Sequence, residues 1–266
     1  MTFAARVAAA VADRGRLVVG IDPHPPLLAA WGLSDDAAGV RAFGLRCAEA
    51  VAGEVGFVKP QVAFFEQFGA AGMHALEEVI AACREAGAVV IADAKRGDIG
   101  STMAGYARAW LGDSPLAADA VTLSPYLGYG SLRPAIDAAR AAGRGVFVLA
   151  RTSNPEGAQV QAEGVGQRIV DDARADNADG AGTVGLVVGA TRDHGLQLDG
   201  LNGPILAPGL GAQGATPADL AAIFGSGGTV LPSSSRQVLG AGPDAVALRS
   251  AALTVRDEIE AALAGG

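Results

Sequence analysis

Short runs of apolar residues, many of them β-branched, alternate along the chain with longer alanine-rich stretches. A continuous apolar run of this length is typical of a strand that is buried on both faces of a parallel sheet. Eight such runs occur, at residues 17–22, 55–59, 88–93, 120–124, 145–150, 183–189, 204–207 and 228–231. Their alternation with helical stretches predicts a series of βα units.

The alanine-rich stretches between the runs predict helices at residues 37–52, 72–86, 101–111, 131–142, 164–175, 216–224 and 243–264. Thr216 and Pro217 mark one helix start, because threonine is a good N-cap and proline is favoured at the first helical position. The segment 191–199 leaves room for only a short helix. One more helix, at residues 3–14, is expected before the first strand.

Eight strands with seven or eight intervening helices in 266 residues predict a (β/α)8 TIM barrel. The alternative is a doubly wound open sheet, which would carry a GxGxxG fingerprint after its first strand. The sequence at that place is GIDPHP, at residues 20–25. No linker or low-complexity tract divides the chain, so residues 1–266 are predicted to form a single domain.

Composition narrows the functional classes. Half of the residues are hydrophobic, and the net charge of −8 argues against a general nucleic-acid or acidic-membrane binder. Cys47 and Cys83 are isolated thiols, as expected in a reducing compartment. The apolar stretch 7–12 is too short for a signal peptide, and no run approaches the length of a membrane span. We therefore expect a cytoplasmic protein that binds neither nucleic acid nor membrane.

Polar side chains follow almost every predicted strand. Barrel active sites are built at the carboxyl ends of the strands, so these side chains are expected to form a ring around one site. They are Asp22, Lys59, Asp93, Lys95, Ser124, Arg151, Ser153, Thr191, Gln213 and Arg236.

The densest charge follows the third strand, where Asp93, Lys95 and Asp98 lie within six residues. Side chains two apart on a strand point the same way, so Asp93 and Lys95 are expected to share a face. Lys59 ends the neighbouring strand and is expected beside them. Alternating Lys–Asp–Lys–Asp charges would keep each group ionised. A plain ion-pair network at a strand end is the structural alternative, although burying charges is a poor way to stabilise a fold.

The last two strand-end loops suggest a phosphate site. Residues 207–214 (APGLGAQG) are glycine-rich and carry the Gln213 amide, and residues 232–236 (PSSSR) offer hydroxyls and the Arg236 guanidinium. Barrels often bind phosphate at these two loops, and arginine suits bidentate phosphate contact. A flexible Gly/Ser loop with an incidental arginine is the alternative.

Two further strand ends have open roles. Asp22 could accept hydrogen bonds from sugar hydroxyls or stabilise the turn before Pro23. Ser153 could hydrogen-bond a base or belong to a simple turn. The three histidines are scattered without metal-ligand spacing, so no transition-metal site is predicted.

At these residues the chain resembles a known family. The stretch DAKRGDIGST at 93–102 is similar to the motif of orotidine 5′-phosphate decarboxylases, in particular the bacterial type 2 subfamily. The blocks KPQVAFFE at 59–66, TSNP at 152–155 and PGLGAQG at 208–214 resemble further blocks of that subfamily, in the same order. The resemblance extends from Gly20 to Arg236. One departure is the serine-rich SSSRQ at 233–237, where a Ser/Gly-Arg-Gly turn would be expected.

The resemblance implies a cofactor-free decarboxylation of orotidine 5′-phosphate to uridine 5′-phosphate, the last step of de novo pyrimidine synthesis. It also implies a homodimer with shared active sites. The implied roles are ribose contact for Asp22 and Lys59, proximity to the substrate carboxylate for Asp93, proton donation for Lys95, reach into the partner's site for Asp98 and Thr102, pyrimidine recognition for Ser153, and phosphate binding for Gln213 and Arg236.

The chemistry fits this charge pattern. Loss of carbon dioxide from a ring carbon leaves a carbanion that no π system stabilises, so fixed charge has to do so. Lys95, paired with Asp93 and Asp98, would place an ammonium there and then donate a proton.

Three alternatives stay open on the sequence alone. A sugar-phosphate decarboxylase or aldolase of the same barrel superfamily would usually need Mg²⁺. A Schiff-base aldolase would need a lysine with a depressed pKa, which neighbouring carboxylates oppose. A non-catalytic barrel would bind a phosphorylated ligand without turnover.

Overall fold

The protein is described here by a computed structural model that covers residues 1–190, 194–211, 215–224 and 228–264. Eight parallel strands in these residues form a closed barrel in sequence order, and β1 pairs with β8 to complete the ring. This confirms the predicted (β/α)8 TIM barrel. The strands are β1 (Val18–Ile21), β2 (Phe57–Pro60), β3 (Val89–Arg96), β4 (Ala120–Leu123), β5 (Gly145–Arg151), β6 (Val184–Val188), β7 (Ile205–Pro208) and β8 (Val230–Ser234).

The helices surround the barrel on its outside, and short 3-10 turns occur at Tyr129–Leu132 and Pro155–Gly157. Nothing in the described part of the chain combines the length and apolarity that a membrane-crossing helix requires. The helices are α1 (Phe3–Arg14), α2 (Pro25–Ala30), α3 (Ala37–Val51), α4 (Ala63–Glu66), α5 (Gly69–Glu85), α6 (Gly100–Leu111), α7 (Arg133–Ala142), α8 (Ala158–Gln161), α9 (Val165–Asp176), α10 (Pro217–Phe224), α11 (Arg236–Leu239) and α12 (Ala245–Ala264).

Two apolar layers hold the barrel together. The larger one lies between the strands and the outer helices. The smaller one fills the barrel interior with side chains from each strand, namely Val18, Phe57, Val89, Ile91, Ala120, Phe147, Val187, Leu206 and Leu231. α1 closes the amino-terminal end of this interior: Phe3 packs edge-on against Phe147, with ring centroids 6.1 Å apart. The other end stays open for a site.

Helix starts follow local chemistry. Asp36 caps α3 by accepting a hydrogen bond from the Gly39 amide at 2.8 Å. α10 begins at Pro217, one residue after the predicted threonine N-cap. There the Asp219 carboxylate accepts hydrogen bonds from both the amide and the hydroxyl of Thr216. The expected helix start at Thr216 and Pro217 is confirmed.

The connection between β6 and β7 differs from expectation. Residues 191–193 lie outside the described residues, and the described remainder of the predicted short helix, 194–199, is irregular. His194 explains how this segment is anchored. Its ring is buried, stacks on Phe224, accepts a hydrogen bond from the Leu196 amide and contacts the Ile223 carbonyl at 3.0 Å. The buried His194 ring therefore anchors this irregular segment to α10.

Candidate active site at the carboxyl ends of the strands

A cavity of about 360 Å³ opens at the carboxyl ends of the strands. Its volume is within the range of small-molecule sites. Its inner wall is apolar and includes Leu149, Val187 and Leu206. Five of the polar residues predicted from strand ends line it together, namely Asp22, Lys59, Asp93, Lys95 and Arg236.

A larger groove of about 820 Å³ lies at the opposite end of the barrel, between α1 and α5. Arg6, Arg14 and Arg84 line it, but they bind the Asp119 and Asp13 carboxylates and backbone carbonyl groups. These contacts hold the ends of helices and strands together, so the arginines have a structural role here. Because barrel chemistry is built at the carboxyl ends of strands, the smaller cavity is the candidate active site.

Asp93 is the centre of the charged network in the cavity. Its Oδ2 accepts a hydrogen bond from Lys59 Nζ at 2.9 Å, and its Oδ1 accepts one from Lys95 Nζ at 2.7 Å. Lys59 and Asp93 are buried, whereas the Lys95 side chain is 46% exposed and lines the cavity. The predicted meeting of Lys59, Asp93 and Lys95 in one pocket is what the structure contains.

Two neutral donors complete the environment of Asp93. Gln61 Nε2 donates to Oδ2 at 3.1 Å, and the Thr122 hydroxyl donates to Oδ1 at 2.9 Å. Each carboxylate oxygen thus receives one ammonium and one neutral donor. Neither residue was predicted to act here. The available signal was position, because Gln61 lies two residues after Lys59 and Thr122 interrupts an apolar strand.

The network fixes the protonation of its buried members. Burial by itself would raise the pKa of Asp93, but the ammoniums of Lys59 and Lys95 outweigh burial and hold that pKa well below its usual range. Burial by itself would lower the pKa of Lys59, but the carboxylates of Asp93 and Asp22 raise it above its ordinary value. Lys59 and Asp93 are therefore a charged pair at neutral pH.

Lys95 has an unusual backbone. Its φ of 47° lies in the left-handed region, which is uncommon for a residue other than glycine. The pairing of β3 with β4 shifts at this point: Ala92 is opposite Val121, whereas Arg96 is opposite Leu123. The bulge directs the Lys95 side chain back to Asp93, two residues earlier. Such bulges often orient a side chain next to an active site.

Asp98 and Thr102 do not join this network within one chain. Asp98 accepts a hydrogen bond from the Ile99 amide at 2.8 Å and makes no contact with Lys95. Thr102 is exposed on the first turn of α6. The expected four-member array consequently has three members here, because the turn after Gly97 carries Asp98 away from the cavity.

The cavity rim contains groups suited to a sugar phosphate. Asp22 Oδ1 is buried and has no hydrogen-bond donor among the described residues. Ser233, Ser235 and Arg236 line the rim at the end of β8. Buried polar atoms are normally hydrogen-bonded, so Asp22 fits a ligand hydroxyl. Gln213, the predicted amide of the preceding loop, lies outside the described residues.

Other predicted strand-end residues lie apart from the cavity lining. Ser153 is half-buried beside Gly189, and the adjacent Thr152 lines the cavity instead. The Ser124 amide donates to the Arg96 carbonyl, and Arg151 also lies outside the lining. Thr191 lies outside the described residues. The ring predicted from strand ends is therefore partly correct.

Sequence reasoning also missed the mouth of the cavity. His24 and Phe64 line it, with ring centroids 6.2 Å apart. Both lie in short segments after strands, where a helical or strand pattern gives no signal. Searched across 1–190, 194–211, 215–224 and 228–264, the chain gathers no group of three or more His, Cys, Asp or Glu side chains that could hold a metal ion.

Known proteins resemble this chain over nearly its full length. A sequence profile described as Orotidine 5′-phosphate decarboxylase / HUMPS family matches residues 15–251. Proteins named orotidine 5′-phosphate decarboxylase are 55% identical in Salinispora arenicola, covering 99% of both chains, and 53% identical in Streptomyces coelicolor, covering 98% of both.

Solved structures agree with this. A crystal structure from Streptomyces avermitilis superimposes with a TM-score of 0.95 and 54% identity, covering 99% of this chain and 96% of the other. The Leishmania donovani OMP decarboxylase superimposes with a TM-score of 0.79 and 31% identity, covering 98% and 99%. Profile, sequence identity and fold lead to one conclusion: this chain belongs to the orotidine 5′-phosphate decarboxylase / HUMPS family.

Proposed function

We propose that this chain decarboxylates orotidine 5′-phosphate to uridine 5′-phosphate and carbon dioxide, in de novo pyrimidine biosynthesis and without a cofactor. The names of the relatives that match over the full chain support this reaction. The single observation that carries it is the contact of Lys59 and Lys95 with opposite oxygens of Asp93 in the cavity.

Lys95 is the proposed catalytic cation. Departure of carbon dioxide leaves the bonding electron pair on the ring carbon, and an ammonium already held in place stabilises that charge without reorganisation. The ammonium then donates a proton to the same carbon, which gives the neutral product ring. Asp93, Lys59 and Asp98 are the other proposed catalytic residues. Asp93 fixes the direction of Lys95, and Lys59 keeps Asp93 ionised.

The rim groups are proposed to bind the rest of the substrate. Asp22 and Lys59 contact the ribose, in agreement with the buried Oδ1 of Asp22, which has no hydrogen-bond partner among the described residues. Arg236 and Gln213 bind the phosphate, and Ser153 recognises the pyrimidine. The phosphate is a part of the substrate that does not react, and binding it supplies energy that can be used in the transition state.

A homodimer with shared sites is part of the proposal. Three large apolar side chains are exposed on the loops after β3 and β4: Ile99 is 62%, Tyr126 77% and Leu127 53% exposed. Because β3 and β4 are neighbouring strands, large apolar side chains exposed on the loops that follow them favour a protein interface at this place. Asp98 and Thr102 lie next to Ile99 along the chain, so a second copy that docks on these loops would contact them. A cytoplasmic location is also proposed, because Cys47 and Cys83 are isolated thiols, as expected in a reducing compartment.

The test is direct. The purified protein, dialysed against a strong chelator, is incubated with orotidine 5′-phosphate while the orotate absorbance is followed. Loss of the chromophore with stoichiometric uridine 5′-phosphate is expected. Activity that returns only with Mg²⁺ would support the sugar-phosphate alternative, and tight nucleotide binding without turnover would support the non-catalytic barrel.

A further inference from the structure

The Thr122 hydroxyl links the backbone amide of the proposed catalytic lysine to Asp93 Oδ1, the same carboxylate oxygen that the Lys95 ammonium contacts directly. We infer that Thr122 is a positioning residue, whose hydroxyl fixes the Lys95 backbone and Asp93 Oδ1 so that the ammonium stays aimed into the cavity. This inference rests on the proposed decarboxylation and adds a residue that acts through Lys95 and Asp93 rather than on the substrate.

The hydrogen-bond directions at Thr122 are determined by its partners. Thr122 is buried on β4, at 1% exposure. The Lys95 amide lies 2.9 Å from its oxygen and can only donate, and Asp93 Oδ1, an ionised carboxylate oxygen, can only accept. The hydroxyl therefore accepts from the Lys95 amide and donates to Asp93. The hydroxyl thus acts as both a donor and an acceptor within the protein.

The Lys95 amide needs this acceptor because of the bulge. With φ at 47° and the strand pairing interrupted between Ala92 and Arg96, the regular ladder between β3 and β4 does not continue through Lys95. The hydrogen bond of this amide is partly buried, and a backbone amide withdrawn from water without an acceptor is disfavoured. Thr122 supplies the acceptor from the neighbouring strand, so its hydroxyl stabilises a left-handed lysine that would otherwise relax.

The contacts close into a ring. The path runs from the Lys95 amide to the Thr122 hydroxyl, from that hydroxyl to Asp93 Oδ1, and from Oδ1 back to Lys95 Nζ at 2.7 Å. Loss of the hydroxyl would remove the acceptor of the Lys95 amide and, at the same time, one of the donors to Asp93 Oδ1. A displacement of the reacting group by about 1 Å can reduce turnover about 100-fold. A positioning role therefore predicts a loss in kcat rather than in binding of the product nucleotide.

The experiment compares variants that lack the hydroxyl with one that keeps it. Thr122→Val removes it at nearly constant shape, Thr122→Ala removes it without adding atoms, and Thr122→Ser restores it. Thr183→Val is the matched control, because Thr183 is also buried, at 2% exposure, and its hydroxyl binds none of the described residues. Each variant is measured for kcat on orotidine 5′-phosphate, for uridine 5′-phosphate affinity by calorimetry and for thermal unfolding.

We expect kcat to fall about 10- to 100-fold in Thr122→Val and Thr122→Ala, with nucleotide affinity within about threefold of wild type. Thr122→Ser should recover most of the turnover, and Thr183→Val should retain all of it. Unchanged kcat in a folded Thr122→Val or Thr122→Ala protein would overturn the inference, as would equal kcat losses in Thr122→Ser. An inactive wild-type protein would instead overturn the proposed function, so the two failures are distinguishable.

Discussion

At the scale of single residues, the site depends on how Asp93 is surrounded. Four donors from three strands and one strand end converge on its two oxygens, and two of them are ammoniums. The two ammoniums outweigh the effect of burial on the pKa of Asp93, so the carboxylate stays ionised although it is buried. Removing it would leave Lys59 charged, buried and without its main partner.

Asp93→Asn should therefore unfold more easily than wild type, by about 3–5 kcal/mol at neutral pH, because a buried charge loses its partner. The fold lowers the pKa of Asp93, so the unfolded chain takes up the proton first as the pH falls. The difference between the two proteins should be complete well above the ordinary carboxyl pKa of 3.8 and should narrow as the pH falls below it.

Urea unfolding at a series of pH values measures this difference. Asp257→Asn is the control, since Asp257 is 66% exposed and, within the part of the chain that the structure describes, pairs only with its neighbour Arg256. A difference for Asp93→Asn that stays constant down to pH 3, or one no larger than the control, would contradict the described environment of Asp93.

Arg236 should act on capture of the phosphorylated substrate. Arg236→Ala is expected to lower kcat/KM about 10- to 100-fold, because each hydrogen bond to a charged group contributes about 1.5–3 kcal/mol. Steady-state kinetics would show this beside Arg249→Ala, which removes an arginine that pairs with Glu54 on the outer surface. An unchanged kcat/KM in Arg236→Ala would refute phosphate binding by this residue.

The sequence was informative about charged residues and uninformative about their neutral neighbours. Lys59, Asp93 and Lys95 were predictable because each ends an apolar run and parallel strands bring such ends together. Thr122 was not, because a threonine within a strand is also explained by its β-branched shape. The left-handed backbone of Lys95 was equally hidden, since nothing in a lysine announces a positive φ.

At the scale of elements, buried strands were easier to locate than the segments between them. All eight predicted runs overlap the observed strands, because an apolar run in a parallel barrel is constrained on both faces. The short helices α2, α4, α8 and α11 were not predicted, since four to six residues are too few to show a helical period. The irregular segment from 194 to 199 depends on the tertiary contacts of one histidine.

His194→Ala should destabilise the fold by about 2–3 kcal/mol, because it leaves the Leu196 amide and the Ile223 carbonyl without their ring partner. Turnover should remain near wild type, since His194 does not line the cavity. Thermal or urea unfolding would be compared with His74→Ala, a histidine that is 71% exposed. Equal stability of the two variants would show that His194 does not anchor this segment.

At the scale of the whole molecule, the two ends of the barrel have separate tasks. α1 and its Phe3 close the amino-terminal end, and the charged cavity occupies the carboxyl end. The chain carries a net charge of −8, yet Lys59, Lys95 and Arg236 face one cavity. A few placed cations can therefore bind an anionic substrate in an acidic protein. The fold class was predictable from the number and order of the strands. The proposed pairing of two copies rests instead on the exposed side chains of Ile99, Tyr126 and Leu127.

Shared sites predict complementation between two inactive variants. Lys95→Ala and Asp98→Ala should each be inactive alone, but a mixed dimer would contain one site with both native residues. Random mixing should restore about a quarter of the wild-type turnover, because half of the dimers are mixed and each has one intact site. Co-expression with two different affinity tags isolates the mixed dimer. A purified mixed dimer without activity would contradict the shared site.

The most direct test of the account is the turnover of Lys95→Ala on orotidine 5′-phosphate, measured together with its affinity for uridine 5′-phosphate. We expect a kcat at least about 10³-fold below wild type, since the variant loses both the fixed charge and the proton donor, while product affinity stays measurable. Turnover near the wild-type rate in a folded Lys95→Ala protein would contradict the proposed role of the network around Asp93.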